Sequence, residues 1–203
     1  MRRALLFGNS QYDKMNHLPQ CEFDAKDLAT LLQDEDIGAY DDVIVKHNCY
    51  FPEMRNTVWD FFSSLTADDT ALFYFSGHGK ATAQSLYLFS PTTYYDTLDL
   101  DALQVSWIYK RISPEECKCK RILILLDCCD SGNAVKIIGK GEKPVEFENL
   151  SEGVWVVTSS SPDEVSGAYD KRLGDTPHSV FTHFLIEGLK SGDADDDNNG
   201  LID

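Results

Sequence analysis

A histidine and two adjacent cysteines are the residues of this sequence best suited to making and breaking covalent bonds together. His78 ends an apolar run in YFSGHG (74–79), and Cys128 and Cys129 end another in LLDCCDSG (125–132). A thiolate that attacks a carbonyl carbon and an imidazole that moves the proton are the minimum apparatus for nucleophilic acyl transfer. A single buried cysteine is more often a small core residue. The combination therefore carries the prediction, and it leaves open which cysteine reacts.

Backbone groups next to these residues could stabilise the negative charge that such a reaction develops. Glycines flank both motifs, and a residue without a Cβ lets a substrate approach the main chain closely. We expect the N–H groups of Gly79 and of the reacting cysteine to form an oxyanion hole, in which they donate to the oxygen of the tetrahedral intermediate.

Strands and helices alternate along the chain in a way that would bring these residues together. Five short runs are almost continuously apolar, which is typical of parallel strands covered on both faces. Apolar residues at helical spacing predict helices between them. The order predicts an α/β domain with a mainly parallel sheet, at whose carboxyl edge ligands bind. The predicted strands are 4–8, 42–47, 70–77, 121–127 and 153–159, and the predicted helices are 21–33, 52–65, 100–112 and 178–190.

Several residues mark the ends and faces of these helices. Pro52 suits a first helical turn, Asp99 is a candidate N-cap for the helix over 100–112, and Gly192 suits a helix stop. Helical spacing also groups Phe23 with three leucines of the helix over 21–33 on one apolar face.

Composition limits the kinds of partner that this protein can have. The 203 residues carry a formal net charge of −16, which opposes binding to nucleic-acid phosphates and favours positively charged partners. No apolar stretch is long enough to cross a membrane. The six cysteines lack the spacing of a disulfide framework, so we expect a reducing, cytoplasmic location. Cys117 and Cys119 have no second ligand pair nearby and do not predict a zinc site.

The motifs YFSGHG and LLDCCDSG together resemble those of caspase-like cysteine peptidases, and specifically those of metacaspases and their prokaryotic relatives. The resemblance covers nearly the whole chain and implies a caspase-like sandwich, in which helices flank a mainly parallel sheet. It implies that His78 is the general acid and base. It also implies that the nucleophile is the second residue after Asp127, which is Cys129. Cys128 then takes the variable position, and alternation along an extended segment should direct its side chain into the core.

The same resemblance implies a pocket for a basic side chain. Asp24, in LPQCEFDAKDL (18–28), and Asp127 match the acidic residues with which metacaspases select arginine or lysine before the cleaved bond. A carboxylate pair would bind a guanidinium bidentately and repel an acidic side chain. Two alternatives remain open: Asp24 could be an exposed acid in a first helical turn, and Asp127 could be a polar end to its strand.

The C-terminal stretch SGDADDDNNGLID resembles part of a calcium-binding EF-hand loop. The chemistry of a Cys–His pair requires no cofactor, but this stretch predicts a calcium site, with an acidic, metal-free tail as the alternative. The glutamate expected at the twelfth position is missing. We therefore divide the chain into a peptidase domain over 1–191 and a tail over 192–203, which sensor or effector domains would follow. The predicted ligands are Asp195, Asp197, Asn199, the Leu201 carbonyl and Asp203.

Two further hypotheses concern regulation and loss of activity. Three lysines in the predicted loop over 133–152 would let an enzyme with basic specificity cut itself, although a simple solvated loop explains them equally well. A catalytically inactive, caspase-like interaction module is the alternative to an enzyme, but such relatives usually lose the cysteine or the histidine, and this chain keeps both. Asp130, beside the predicted nucleophile, has no assigned role. The lysines are Lys136, Lys140 and Lys143.

Overall fold

A five-stranded parallel sheet forms the centre of the computed structural model, which describes residues 1–128, 153–159 and 176–192. All five predicted strands are present in it. The described elements are β1 (Arg2–Gly8), α1 (Gln20–Gln33), β2 (Asp42–His47), α2 (Phe51–Ser64), β3 (Thr70–Ser76), β4 (Gly79–Ala81), β5 (Leu86–Phe89), α3 (Leu98–Asp101), β6 (Ala102–Gln104), α4 (Val105–Arg111), β7 (Arg121–Asp127), β8 (Val154–Thr158) and α5 (Val180–Ser191).

The register of the sheet aligns the carboxyl ends of its central strands. The strand order is β2-β1-β3-β7-β8, and every neighbouring pair is parallel. Gly8 of β1 lies opposite Ser76 of β3, and Ser76 lies opposite Asp127 of β7. These three residues therefore form one row across the edge of the sheet. The Gly77 N–H donates to the Asp127 carbonyl at 3.3 Å, so β3 and β7 end side by side.

Each face of the sheet is covered by a different layer of helices. Side chains alternate along β7 because successive residues of a strand point to opposite faces. Leu125 packs in the core shared with α1 and α5. The other series packs in the core shared with α2 and α4, where each buried aliphatic side chain contributes about 1.5–3 kcal/mol. That series is Ile122, Ile124, Leu126 and Cys128.

A small antiparallel sheet lies beside the main one, and the sequence did not predict it. Its order is β4-β5-β6. The helix predicted over 100–112 is wrong in its first half, because Ala102–Gln104 pairs with β5 as strand β6 and separates α3 from α4. Asp99 is not an N-cap. Its carboxylate instead accepts a hydrogen bond from the Tyr87 hydroxyl at 2.6 Å.

The other helix ends follow the predicted residues closely. Pro52 lies in the first turn of α2, and α5 ends at Gly192, whose φ of 73° is the left-handed conformation that glycine adopts readily. Phe23 does not join the buried face of α1 and is instead 46% exposed. None of the helices that the structure describes is long and apolar enough to cross a membrane.

Candidate active site

His78 lies just beyond the carboxyl end of β3, in the turn between the two sheets. Its Nε2 is 2.9 Å from the backbone oxygen of Asn16. A carbonyl oxygen only accepts, so Nε2 carries the proton and Nδ1 is left as the basic nitrogen. Burial lowers the pKa of His78 from its ordinary value of 6.5, and the bond to Asn16 opposes this effect. The imidazole is therefore neutral at neutral pH, as a general base must be.

Tyr12 holds both the backbone and the ring of His78. Its hydroxyl oxygen accepts a hydrogen bond from the His78 backbone N–H at 2.8 Å. Its ring meets the imidazole edge-on, with 4.6 Å between centroids. A Cβ at Gly77 would lie 2.6 Å from this hydroxyl oxygen and 2.8 Å from the end of the Phe75 ring, so a larger residue there would displace Tyr12 or Phe75. Tyr12 is 3% exposed, and its place is therefore determined by packing.

The loop after β1 supplies both Tyr12 and Asn16, and neither residue was singled out from the sequence. Its start and the turn at His78 meet because Gly8 and Ser76 are neighbours across β1 and β3. The available signal was the position of this loop, directly after a predicted strand, at the edge where His78 was expected. The spacing of residues did not indicate which side chains of this loop would contact the imidazole.

The hydrogen-bond pattern of the small sheet leaves the Gly79 N–H available. The Phe89 N–H donates to the His78 carbonyl at 3.0 Å, and the Thr82 N–H donates to the Ser85 carbonyl at 2.9 Å. Because hydrogen-bonded and non-hydrogen-bonded pairs alternate in an antiparallel ladder, Gly79 and its partner Leu88 form a non-bonded pair. The Gly79 N–H is therefore directed away from β5.

The two cysteines after β7 differ in what the structure describes. Cys128 is 3% exposed and packs in the core with α2 and α4, as predicted for the variable position. Cys129 lies outside the described residues, so its role as nucleophile stays a prediction. Asp127, the residue before the cysteine pair, lies opposite Ser76 in the sheet. The cysteine pair therefore begins at the same sheet edge as His78.

Asp24 and Asp127 are both buried and are tied into one cluster. Asp24, on α1, has no exposed surface, and Asp127 is 7% exposed. The Ser76 hydroxyl donates to Asp24 Oδ2 at 2.9 Å, and the Ser179 N–H donates to Asp24 Oδ1 at 3.0 Å. The hydroxyls of Ser179 and Thr182 both donate to Asp127 Oδ2, the latter at 2.7 Å.

Burial raises the pKa of both acids. The pKa of Asp24 rises to about 7, chiefly because burial disfavours its charge and then because the negative Asp127 is near; its bonds from Ser179 and Ser76 oppose the rise. Burial also raises the pKa of Asp127, against the opposing bonds from Ser179 and Thr182. The two titrate as a pair, and a cation placed between them would favour the doubly ionised form.

The surroundings of Asp24 exclude the alternative that the sequence left open for it, whereas Asp127 does lie at the end of its strand. Asp24 is not an exposed first-turn acid, since it is fully buried beneath α5. Two carboxylates buried together with raised pKa values are typical of functional sites, because a structural role alone would favour their replacement.

The remaining candidate residues are the predicted calcium ligands and the pair Cys117 and Cys119. The calcium ligands predicted between Asp195 and Asp203 lie outside the described residues, as does the loop over 133–152. Among the residues that the structure describes, no group of three or more His, Cys, Asp or Glu side chains could hold a metal ion. Cys117 and Cys119 are buried thiols that donate to backbone carbonyls of Phe62 and Asp69.

Comparisons with known proteins agree with the fold and with the motifs. The family model described as the caspase domain matches residues 1–202. A crystal structure of caspase-1 from Spodoptera frugiperda superposes with a TM-score of 0.66 and 16% sequence identity, covering 94% of this chain and 69% of that one. At this identity the likeness shows the fold alone, and it confirms the predicted caspase-like α/β architecture. No curated protein matches the sequence. The chain therefore belongs to the caspase-domain family, and it is a cysteine-type peptidase.

Proposed function

We propose that this peptidase is an endopeptidase that cleaves the bond after arginine or lysine through a dyad of Cys129 and His78. The observation that carries the proposal is the buried pair of Asp24 and Asp127, at the sheet edge beyond which His78 lies. Two carboxylates in a closed site attract a guanidinium or an ammonium group and repel an aspartate. Its substrates would be proteins or peptides with a basic residue before the cleaved bond.

In the first half of the reaction, Nδ1 of His78 accepts the proton of the Cys129 thiol, and the sulfur attacks the carbonyl carbon. The N–H groups of Gly79 and Cys129 donate to the resulting oxyanion. His78 then gives its proton to the leaving amine, which departs as the new N-terminus and leaves a thioester on Cys129. The bond from Nε2 to Asn16 holds the tautomer in which Nδ1 is basic.

In the second half, the same imidazole activates water. Nδ1 of His78 accepts a proton as water attacks the thioester carbonyl, and the oxyanion forms in the same place. When the carbon–sulfur bond breaks, the proton returns to the sulfur of Cys129. The product acid leaves, and both residues regain their starting state. No step requires a metal, so any effect of Ca²⁺ would act on the conformation or the tail.

Cleavage of matched fluorogenic peptides tests this function. Three peptides that differ only in having Arg, Lys or Asp before the cleaved bond are compared, with and without Ca²⁺, and with Cys129→Ala and His78→Ala as controls. We expect cleavage after Arg and Lys, and a loss of at least about 10³-fold in either variant. A preference for Asp would contradict the pocket assignment. If instead none of the three peptides were cleaved and Cys129 failed to react with a peptidyl chloromethylketone, the alternative of an inactive interaction module would replace the proposal.

Intact-mass analysis tests self-cleavage, which the same specificity allows at Lys136, Lys140 or Lys143. We expect the wild-type protein to be cut at these lysines and the Cys129→Ala protein to remain uncut. Identical masses for the two proteins would remove the idea without affecting the proposed specificity.

A further inference from the structure

The first turn of α5 contacts both buried acids through one residue. The Ser179 N–H donates to Asp24 Oδ1 at 3.0 Å, and the Ser179 hydroxyl donates to Asp127 Oδ2. The same hydroxyl oxygen accepts from the Thr182 N–H, so Ser179 is also the N-cap of the helix. Ser179 is thus the one described residue whose hydrogen bonds join the acid of α1 to the acid of β7.

Thr182 adds a second donor whose direction is determined by its neighbours. Its Oγ1 lies 2.7 Å from Asp127 Oδ2 and 2.6 Å from the Tyr74 hydroxyl. An ionised carboxylate only accepts, so Thr182 donates to Asp127 and accepts from Tyr74. Burial and the two nearby acids raise the pKa of Tyr74 well above its ordinary value of 10, so the phenol keeps its proton. Tyr74 and Thr182 have no exposed surface.

These donors oppose the two forces that act against an ionised acid pair. Burial and mutual repulsion both favour protonation of Asp24 and Asp127, and each bond from a hydroxyl or N–H favours the charged form. The N-terminus of a helix adds a partial positive charge beside them. Among the described residues, Tyr74 is a titratable group that interacts electrostatically with both Asp24 and Asp127, whereas His178 directs its Nε2 to Asp27 at 2.9 Å.

We propose that Ser179 and Thr182 are positioning residues for basic specificity, which hold the Asp24–Asp127 pair ionised and in one geometry for a substrate guanidinium. This inference rests on the proposed function, since it assigns to α5 the control of the same pocket. It means that the specificity of the enzyme depends on a helix about 50 residues after its nucleophile in the chain.

The test compares Thr182→Val, which removes a hydroxyl and keeps the volume, with Ser179→Ala. Ser85→Ala is the matched control, because Ser85 is another buried serine whose hydroxyl bonds only within the region of the small sheet and α4. Cleavage of an Arg peptide is measured from pH 5 to 9. We expect each test variant to move the acidic limb of kcat/KM upward by about one pH unit, which lowers kcat/KM about tenfold on that limb, mainly through KM.

Two further readouts separate this inference from the proposed function and from misfolding. Alkylation of Cys129 by iodoacetamide, a probe that needs no pocket, should proceed at the wild-type rate in every variant. Ser179→Ala also removes the N-cap of α5, so if that variant does not fold, Thr182→Val alone decides the test. Tyr74→Phe should move the acidic limb of kcat/KM in the same direction by a smaller amount. An unchanged acidic limb in a folded Thr182→Val enzyme overturns the inference and leaves the proposed specificity intact. A wild-type enzyme that ignores Arg peptides overturns the proposed function itself.

Discussion

The conflict between stability and specificity is concentrated in one side chain, Asp24. Its pKa of about 7 in the folded chain lies far above the value of 3.8 for a free aspartate. Well below pH 3.8 the acid is protonated in both the folded and the unfolded chain and costs nothing. As the pH rises toward 7, the unfolded chain loses the proton first, so the free energy of unfolding falls by an amount on the order of 4 kcal/mol. The protein keeps a buried charge that weakens it.

Replacing that acid with its neutral isostere should therefore stabilise the fold and destroy the specificity. We expect Asp24→Asn to unfold at a higher denaturant concentration than the wild type at pH 8, with a much smaller difference, about 1 kcal/mol, at pH 4.5. Its kcat/KM for an Arg peptide should fall at least about 100-fold, because the pocket loses one of two charges. Asp60→Asn, at an exposed position on α2, is the control. An equal change in stability at both pH values would contradict the linkage.

Tyr12 illustrates how a residue outside the chemistry can control its geometry. Tyr12→Phe keeps the ring against His78 but removes the oxygen that accepts the His78 N–H. We expect kcat to fall about tenfold with KM nearly unchanged, because the imidazole is less well aligned and the pocket is untouched. Tyr87→Phe is the matched control, since that hydroxyl bonds Asp99 within the same small core. Equal kcat values for the two variants would remove the positioning role of Tyr12.

At the scale of elements, α1 is the helix whose position matters most for the pocket, because it carries Asp24. It approaches β1 so closely that a Cβ at Gly8 would overlap the Cys21 backbone oxygen and lie 2.9 Å from the Ala25 Cβ. Backbone atoms yield little in a packed interior. The approach of helix to strand, rather than a turn, is what requires glycine at position 8.

Two alanine substitutions should therefore differ in both size and kind. We expect Gly8→Ala to destabilise the protein by about 3 kcal/mol and to weaken cleavage after Arg, because α1 and Asp24 must move. Gly192→Ala has open space around its Cβ and costs only the left-handed conformation, about 1 kcal/mol, with activity unchanged. Denaturant unfolding and Arg-peptide kinetics measure both. Similar losses of activity in the two variants would show that α1 is not held by this contact.

A strand or helix can be predicted from the sequence when its own residues show a clear apolar pattern. The inner strands β1, β3 and β7 were read correctly because burial on both faces leaves continuous apolar runs. The edge strands β2 and β8 carry similar apolar runs without that burial, and Trp155 and Val157 of β8 are exposed. Strands β4 to β6 were missed because three or four residues are too few to show a period. The helix predicted over 100–112 failed for the same reason, since pairing of Ala102–Gln104 with β5 overrides helical spacing.

Some residues of the candidate site could likewise be predicted from the sequence, and others could not. His78 and Asp127 stand in recognisable motifs at the ends of strands, and Asp24 stands in a motif at the start of α1, so a resemblance and a parallel register were enough to group them. Tyr12 and Ser179 contribute through contacts between segments that are 66 and 155 residues apart in the chain. Such contacts depend on how loops and helices pack, which neither composition nor spacing encodes. The sequence therefore indicated the chemistry, whereas the support of the site required the fold.

At the scale of the whole molecule, the net charge of −16 should influence which substrates reach the site. A strongly acidic protein concentrates cationic peptides near its surface and depletes anionic ones, and added salt screens both effects, with a Debye length of about 10 Å at 0.1 M. The sign of the salt effect therefore depends on the charge of the substrate, even when the residue before the cleaved bond is the same.

Two Arg peptides that differ only in their flanking residues would reveal this field. Raising the salt concentration from about 0.02 to 0.5 M should lower kcat/KM several-fold for a peptide with lysine flanks and raise it for one with glutamate flanks. The kcat values should change little, because attraction at a distance acts on encounter and not on bond breaking. If both peptides responded to salt in the same direction, the change would arise from the pocket or the fold. The acidity of the chain would then have no part in choosing substrates.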